Sequence, residues 1–125
     1  MEGNMNLYAR RYLEGKKLTQ DQLIPVIIIL IGGKGGRATK QYVEENVYYL
    51  FRDDLHKPVY HEKVANYAVP RWKHDVAWAR ERAKQRHGYI KPAPKSGRGI
   101  WELTEKGKAY FTELQDMMNK IANVS

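Results

Sequence analysis

Cysteine is absent from all 125 residues. That excludes disulfides and thiolate metal sites, and it removes any argument for an oxidising compartment. Long apolar runs are also missing. The longest spans Val26 to Ile31, far short of the roughly 20 residues that a membrane-spanning helix needs. It lies behind a polar segment, Lys16 to Gln22, and no small-residue cleavage pattern follows it. No signal peptide and no membrane partner are expected, and the reading is cytoplasmic. No internal repeat is visible.

What is present is an ordinary globular composition, 42% hydrophobic and 29% charged. The length suits one domain with a real core. The net charge is +8, and it is not spread evenly. Nine bases (Arg71, Lys73, Arg80, Arg82, Lys84, Arg86, Lys91, Lys95, Arg98) face two acids (Asp75, Glu81) between Arg71 and Arg98. The rest of the chain is close to balanced. A field concentrated on one surface speaks about partners rather than fold, and the commonest polyanion is a duplex phosphate backbone.

The spacing of apolar residues gives an element order. Residues 1–18 form an N-terminal extension, in which Leu7, Tyr8, Tyr12 and Leu13 allow a short amphipathic helix or a loosely packed tail. Residues 19–125 form the domain. Leu23 to Ile31 is rich in β-branched residues, as a buried strand would be. Pro25 suits a helix's first turn and Gly32-Gly33 its end, which favours a short buried helix. Thr39 can cap a helix that runs to Phe51, with Val43, Val47 and Leu50 as its stripe. Asp53 to Ala68 is polar and irregular, with a helical turn expected near Glu62 to Tyr67. Pro70 opens a basic helix whose stripe is Trp72, Val76, Ala79 and Ala83, and Gly88 ends it. Tyr89 to Lys91 and Ile100 to Leu103 read as two strands of a hairpin around a Pro-, Gly- and Lys-rich turn. Thr104 then caps a closing helix, with Glu105 in its first turn.

The order is helix, helix, basic helix, two-stranded hairpin and closing helix. It predicts a mainly α chain with a small β-hairpin, arranged as a winged helix-turn-helix domain. Both basic elements then lie on one face.

Four segments resemble the N-terminal winged-helix domain of Mrr-type restriction proteins. Ile24-Pro25 leads into an apolar helix that ends in Gly32-Gly33, as the family's first helix does. Val76-Ala77-Trp78-Ala79 is similar to its third-helix core, and His87-Gly88-Tyr89-Ile90 to its helix end and first wing strand. Arg98-Gly99-Ile100-Trp101-Glu102-Leu103-Thr104-Glu105-Lys106-Gly107 is the closest likeness, to the second wing strand and capped last helix. Ala83 and Lys84 depart from the family, which tends to have a leucine there. The resemblance spans about Leu23 to Phe111 and implies a DNA-reading domain of a restriction or defence system. The family's nuclease lies in a separate domain downstream.

The candidate DNA-binding residues are Arg71, Lys73, His74, Arg80 and Lys84 on the basic helix, with Lys95, Ser96 and Arg98 in the wing. A helix fits the major groove, where Arg or Lys reaches guanine edges or phosphates. A wing loop lays cations along a phosphate strand or in the minor groove. With the apolar stripe turned inward, Lys73, His74, Ala77, Arg80, Glu81 and Lys84 point outward. Trp72 and Trp101 are expected to pack in the core, whereas Trp78 lies away from the other apolar residues on the helix wheel.

Other chemistry finds less support. Gly32-Gly33-Lys34-Gly35-Gly36-Arg37-Ala38-Thr39 fails the phosphate-loop pattern, because Arg37-Ala38 stands where a glycine-lysine pair should. It reads as a flexible connection between helices. His56, His61, His74 and His87 lack metal-ligand spacing, and His74 and Asp75 do not face each other on a helix. Asp53, Asp54, Glu62 and Lys63 sit in an irregular segment rather than on the paired strands of a metal nuclease. No catalysis and no cofactor are expected. In the closing helix, Tyr110, Leu114, Met117, Ile121 and Val124 recur at heptad spacing. That seam serves either the domain's own core or a homodimer. The functional expectation is duplex DNA binding, in a defence system or as a small transcriptional regulator. The alternative is a protein- or RNA-interaction module on the same fold.

Overall fold

The computed structural model describes residues 9, 19–51, 70–92, 97 and 99–124. Among the described residues, four helices and two short strands follow in order: α1 (Gln20–Gly33), β1 (Arg37–Thr39), α2 (Lys40–Leu50), α3 (Arg71–Gln85), β2 (Ile100–Glu102) and α4 (Glu105–Val124). The fold is mainly helical with a two-stranded antiparallel sheet. Of the extension only Ala9 is described, helical and buried; Leu7, Tyr8, Tyr12 and Leu13, and the irregular segment from Asp53 to Ala68, lie outside the described residues.

Helix α1 is the hub. Thr19 caps it, its hydroxyl accepting the Gln22 amide at 3.2 Å. Every residue from Leu23 to Ile31 is buried. A helix that is apolar all round can be stable in water only if neighbours cover every side. Here α3, α4, α2 and β1 all pack on it. Burying each large aliphatic side chain is worth about 1.5–3 kcal/mol, which outweighs the poor intrinsic helix propensity of the isoleucines. Helix is therefore the outcome for this run. Pro25 sits one turn deeper than expected, inside the helix. It has no N–H to give the Asp21 carbonyl, so one i to i−4 hydrogen bond is missing there.

The glycine-rich segment after α1 is not a flexible connection. Gly35 and Gly36 take positive φ of 83° and 95° and turn the chain directly into β1. Strand β1 pairs antiparallel with β2, with Ala38 opposite Trp101 and Thr39 opposite Ile100. The pairing continues at both ends. Leu103 N–H donates to the Gly36 carbonyl, and Lys40 N–H to the Gly99 carbonyl, each at 2.9 Å. The buried small-against-large pair Ala38–Trp101 closes the core on this side. Among the described residues, the hairpin expected between Tyr89–Lys91 and Ile100–Leu103 shows one bridge, Ile90 with Leu103, held by Lys91 N–H on the Glu102 carbonyl and Thr104 N–H on the Tyr89 carbonyl. Thus the main partner of β2 is β1.

Thr39 ends β1 and caps α2, accepting the Tyr42 amide at 3.0 Å. Val43, Val47 and Leu50 are buried, as their spacing predicts. Helix α3 turns Trp72, Val76, Ala79 and Ala83 inward, and Trp72 meets Tyr48 of α2 with ring centroids 5.4 Å apart. Gly88, at φ 68°, redirects the chain so that Tyr89 N–H reaches the Ala83 carbonyl at 2.9 Å.

Thr104 then joins three elements. Its hydroxyl accepts the Gly107 amide at 3.0 Å, which caps α4, and donates to the Gly88 carbonyl. Its own N–H donates to the Tyr89 carbonyl at 3.0 Å. Gly107 is buried directly against that Tyr89 carbonyl, with no room for a Cβ. Gly32 of α1 likewise lies against the Phe111 ring of α4.

Two stability outcomes follow from this packing. Trp101→Ala should lower the unfolding free energy by about 3–5 kcal/mol, since it empties a buried indole site. Gly107→Ala should lower it by about 1–3 kcal/mol, because a backbone carbonyl cannot step aside as a side chain would. Urea denaturation reads both. A Trp101→Ala variant that melts like the parent would mean that β2 does not close the core.

Candidate nucleic-acid interface

Within α3, successive residues are about 100° apart. The inward stripe therefore leaves two basic flanks and an outward face between them. Lys73, Arg80 and Lys84 share one flank, Arg71, Arg82 and Arg86 share the other, and His74, Ala77, Trp78 and Glu81 lie between. Of the expected site residues, Arg71, Lys73, His74, Arg80 and Lys84 are brought onto this one helix. Lys95, Ser96 and Arg98 lie outside the described residues.

Much of the charge on α3 is already answered within the fold. Glu81 takes Arg80 at 2.8 Å and Lys84 at 3.2 Å, and its second oxygen accepts from Gln85 at 3.1 Å. Asp21 of α1 meets Arg82 at 2.8 Å. Glu102 of β2 meets Lys91 at 2.9 Å. Asp21 and Glu102 come from outside the basic stretch, so the field in space is weaker than the sequence stretch alone implies. Partly exposed pairs of this kind contribute at most about 1 kcal/mol each to stability. Their larger effect is on where positive potential remains.

Arg80 does not point outward as the helix wheel suggests. Its side chain is only 11% exposed, and its guanidinium carbon lies 5.8 Å from the centroid of the Trp101 ring. Its Nε is enclosed with no hydrogen-bond partner. Arg80 thus bridges α3 to β2 through a cation–π contact, and the long stem explains the burial. Lys73 keeps its ammonium 5.7 Å from the Trp72 ring and has no ion pair among the described residues. Lys84 is partly covered by its contact with Glu81.

His74 carries a specific constraint. The Trp78 indole N–H donates to its Nε2 at 2.8 Å. The His74 Nδ1 lies 3.9 Å from the Asp75 carboxylate, which corrects the expectation that these two side chains do not face each other. Asp75 in turn accepts from Gln20 of α1 at 3.1 Å. For Nε2 to contact a base, Trp78 must release it. Trp78 itself is 47% exposed, whereas Trp72 and Trp101 are buried. Core packing holds for those two, and Trp78 stands on the outward face.

Sequence reasoning did not find Glu81 as the acid that neutralises two site bases, although its i, i+3 spacing to Lys84 was a usable signal. The Asp21–Arg82 pair, 61 residues apart, had no such signal. The closing-helix seam is also resolved in part. Leu114 and Met118 are buried in the chain's own fold, while Met117 is 40% exposed. Leu114 thus belongs to the chain's own core, and Met117 is the exposed member of the seam. The side chains of Ile121 and Val124 lie outside the described residues.

Among the described residues, no group of three His, Asp or Glu side chains is placed to hold a metal ion. His56, His61, Asp53, Asp54, Glu62 and Lys63 lie outside them. No helix among the described residues is long and apolar enough to cross a membrane. No protein-family description matches the chain, and comparisons with curated proteins and with solved structures return no match either.

The indole environments give a direct check. Acrylamide should quench one class of tryptophan emission efficiently, and Trp78→Phe should abolish that class. If the quenchable fraction survives in the variant, Trp78 is not the exposed indole and the rotation of α3 is different.

Proposed function

We propose that this chain is a winged helix-turn-helix protein that binds double-stranded DNA, with α3 as recognition helix, the segment between Ile90 and Ile100 as wing, and no catalysis of its own. The observation that carries the reading is the basic surface of α3, where Lys73 and Lys84 flank the outward face within a stretch of nine bases and two acids. The element order supports it, because β1 and β2 pair beside α3 and bring Trp101 under Arg80. Lys73, His74 and Lys84 would approach the major groove, with Arg71 at the helix start. Arg80 holds α3 to the sheet more than it reads DNA. Lys95, Ser96 and Arg98 would meet phosphate or the minor groove.

The biological role in this reading is a DNA-reading part of a restriction or defence system, or a small transcriptional regulator. The first rests on the likeness of the four segments to Mrr-type proteins. The second rests on the element order and the basic helix α3, with no family likeness invoked. A cytoplasmic location goes with either. Leu114 is taken by the chain's own core, so a homodimer through the closing helix would use the exposed Met117.

A protein-interaction module is the second reading, and Trp78 favours it. An indole nearly half exposed on the outward face of a helix, held by His74, is the kind of aromatic anchor found at the centre of protein interfaces. Glu81 at the same face lowers its attraction for a polyanion and suits a neutral or mixed-charge partner better than an all-basic helix would.

Salt dependence separates the two. Duplex binding that neutralises several phosphates should lose log affinity at about −0.9 per contact as log salt rises. Lys73→Ala with His74→Ala should change which duplexes win a selection from a random pool and cost about 1–3 kcal/mol on the preferred one. Lys95→Ala with Arg98→Ala should weaken all duplexes alike and reduce the salt slope by about one per contact. A flat salt titration contradicts duplex binding and leaves the Trp78 face as the functional surface.

A further inference from the structure

A second concave surface lies away from the flank of α3 that carries Lys73 and Lys84. Arg86 is the residue that ends α3, about 200° round the helix from Lys84. Here the first turns of α1 and the end of α3 enclose an open cleft of about 450 Å³, within the size range of small-ligand sites. One wall is Asp21, Gln22, Ile24 and Pro25, and the other is Arg86, His87, Tyr89 and Tyr110.

The second wall is built of stacked rings. His87 and Tyr89 stack with centroids 5.1 Å apart and planes 9° apart. Tyr89 and Tyr110 stack at 4.5 Å and 17°. His87 is the exposed ring of this ladder, and Tyr89 and Tyr110 are half-buried beneath it, so the ladder can be extended by a further flat ring at its exposed end. The charges are selective too. Asp21 is engaged by Arg82, whereas the Arg86 side chain is exposed and its guanidinium has no ion pair among the described residues; only its backbone N–H is used, donating to the Arg82 carbonyl. One guanidinium in this setting suits one phosphate in a forked contact. On the facing wall, the Asp21 carboxylate and the Gln22 amide can meet the polar edge of a base, while Ile24 and Pro25 offer apolar surface. The chemistry this cleft matches is a flat ring joined to one anionic group.

We propose that this cleft binds a nucleoside monophosphate unit, its base against the His87–Tyr89–Tyr110 ladder and its phosphate at Arg86. The unit is either a free nucleotide or the unpaired nucleotide at the end of a strand. The site is independent of the duplex reading, since it uses none of the residues assigned to the groove.

Calorimetric titration of the full chain with adenosine 5′-monophosphate, with adenosine and with inorganic phosphate tests it, beside a 5′-phosphorylated single-stranded hexanucleotide and a blunt duplex. The monophosphate should bind at least about tenfold more tightly than adenosine or phosphate alone. Arg86→Ala should remove that advantage and leave adenosine binding unchanged. His87→Ala should weaken monophosphate and adenosine alike, by about fivefold or more. If the hexanucleotide binds and the free monophosphate does not, with the same dependence on Arg86 and His87, the strand end is the source. No binding of either probe, or wild-type affinity in both variants, overturns the site. Loss of blunt-duplex binding in these variants would also overturn it, because Arg86 and His87 would then belong to the duplex surface. Both residues are exposed, so unchanged melting of the variants should accompany these results.

Discussion

Complete burial of α1 is the constraint on which the remaining architecture depends. Nine consecutive residues, Leu23 to Ile31, have no polar face to give to water. Other elements must therefore surround the helix, and each is recruited by its own apolar stripe. The stripe of α3, from Trp72 to Ala83, fixes which half of that basic helix faces outward. Leu114 and Phe111 of α4 close another side, and Gly32 permits the approach of Phe111. The orientation of the functional surface is thus a consequence of hydrophobic burial at a helix that carries none of that surface.

Electrostatics then decides what the surface offers. In the sequence, the excess charge belongs to one stretch. In space, acids from α1 and β2 join it and answer Arg82 and Lys91, and Glu81 answers two more bases from within. What remains is Lys73 on one flank and Arg86 at the end of the other, with an outward strip that holds His74 and Trp78 between them. Such an arrangement suits a partner approached in a defined orientation better than a diffuse polyanion trap. The hydrogen bond from Trp78 to His74 adds to this, since it commits the histidine's acceptor nitrogen before any partner arrives.

Features governed by local chemistry were legible from residues alone. Thr39 and Thr104 cap the helices they precede, because a hydroxyl that satisfies an orphan amide works wherever it stands. The stripes of α2 and α3 and the burial of Trp72 and Trp101 follow from spacing. Features that depend on distant partners were not legible. Arg37 to Thr39 has no strand pattern, and it is a strand only because Ile100 to Glu102 lies beside it. Arg80 leaves the outward face because the Trp101 ring is there to receive it. Asp21 and Arg82 meet across a helix–helix contact that no local rule anticipates. The same holds for the candidate site: Lys73, His74 and Lys84 could be assigned to α3, but their hydrogen bonds and ion pairs could not.

Mapping duplex binding residue by residue on α3 tests the central claim most directly. Backbone amide shifts followed by NMR during titration with a duplex taken from a random-pool selection should change most at Lys73, His74, Ala77, Glu81 and Lys84, and the changes should fade as salt is raised. Buried Val76 and Ala79 should move far less. Shifts absent from α3, or confined to α4 and the cleft beside Arg86, would contradict duplex recognition by this helix.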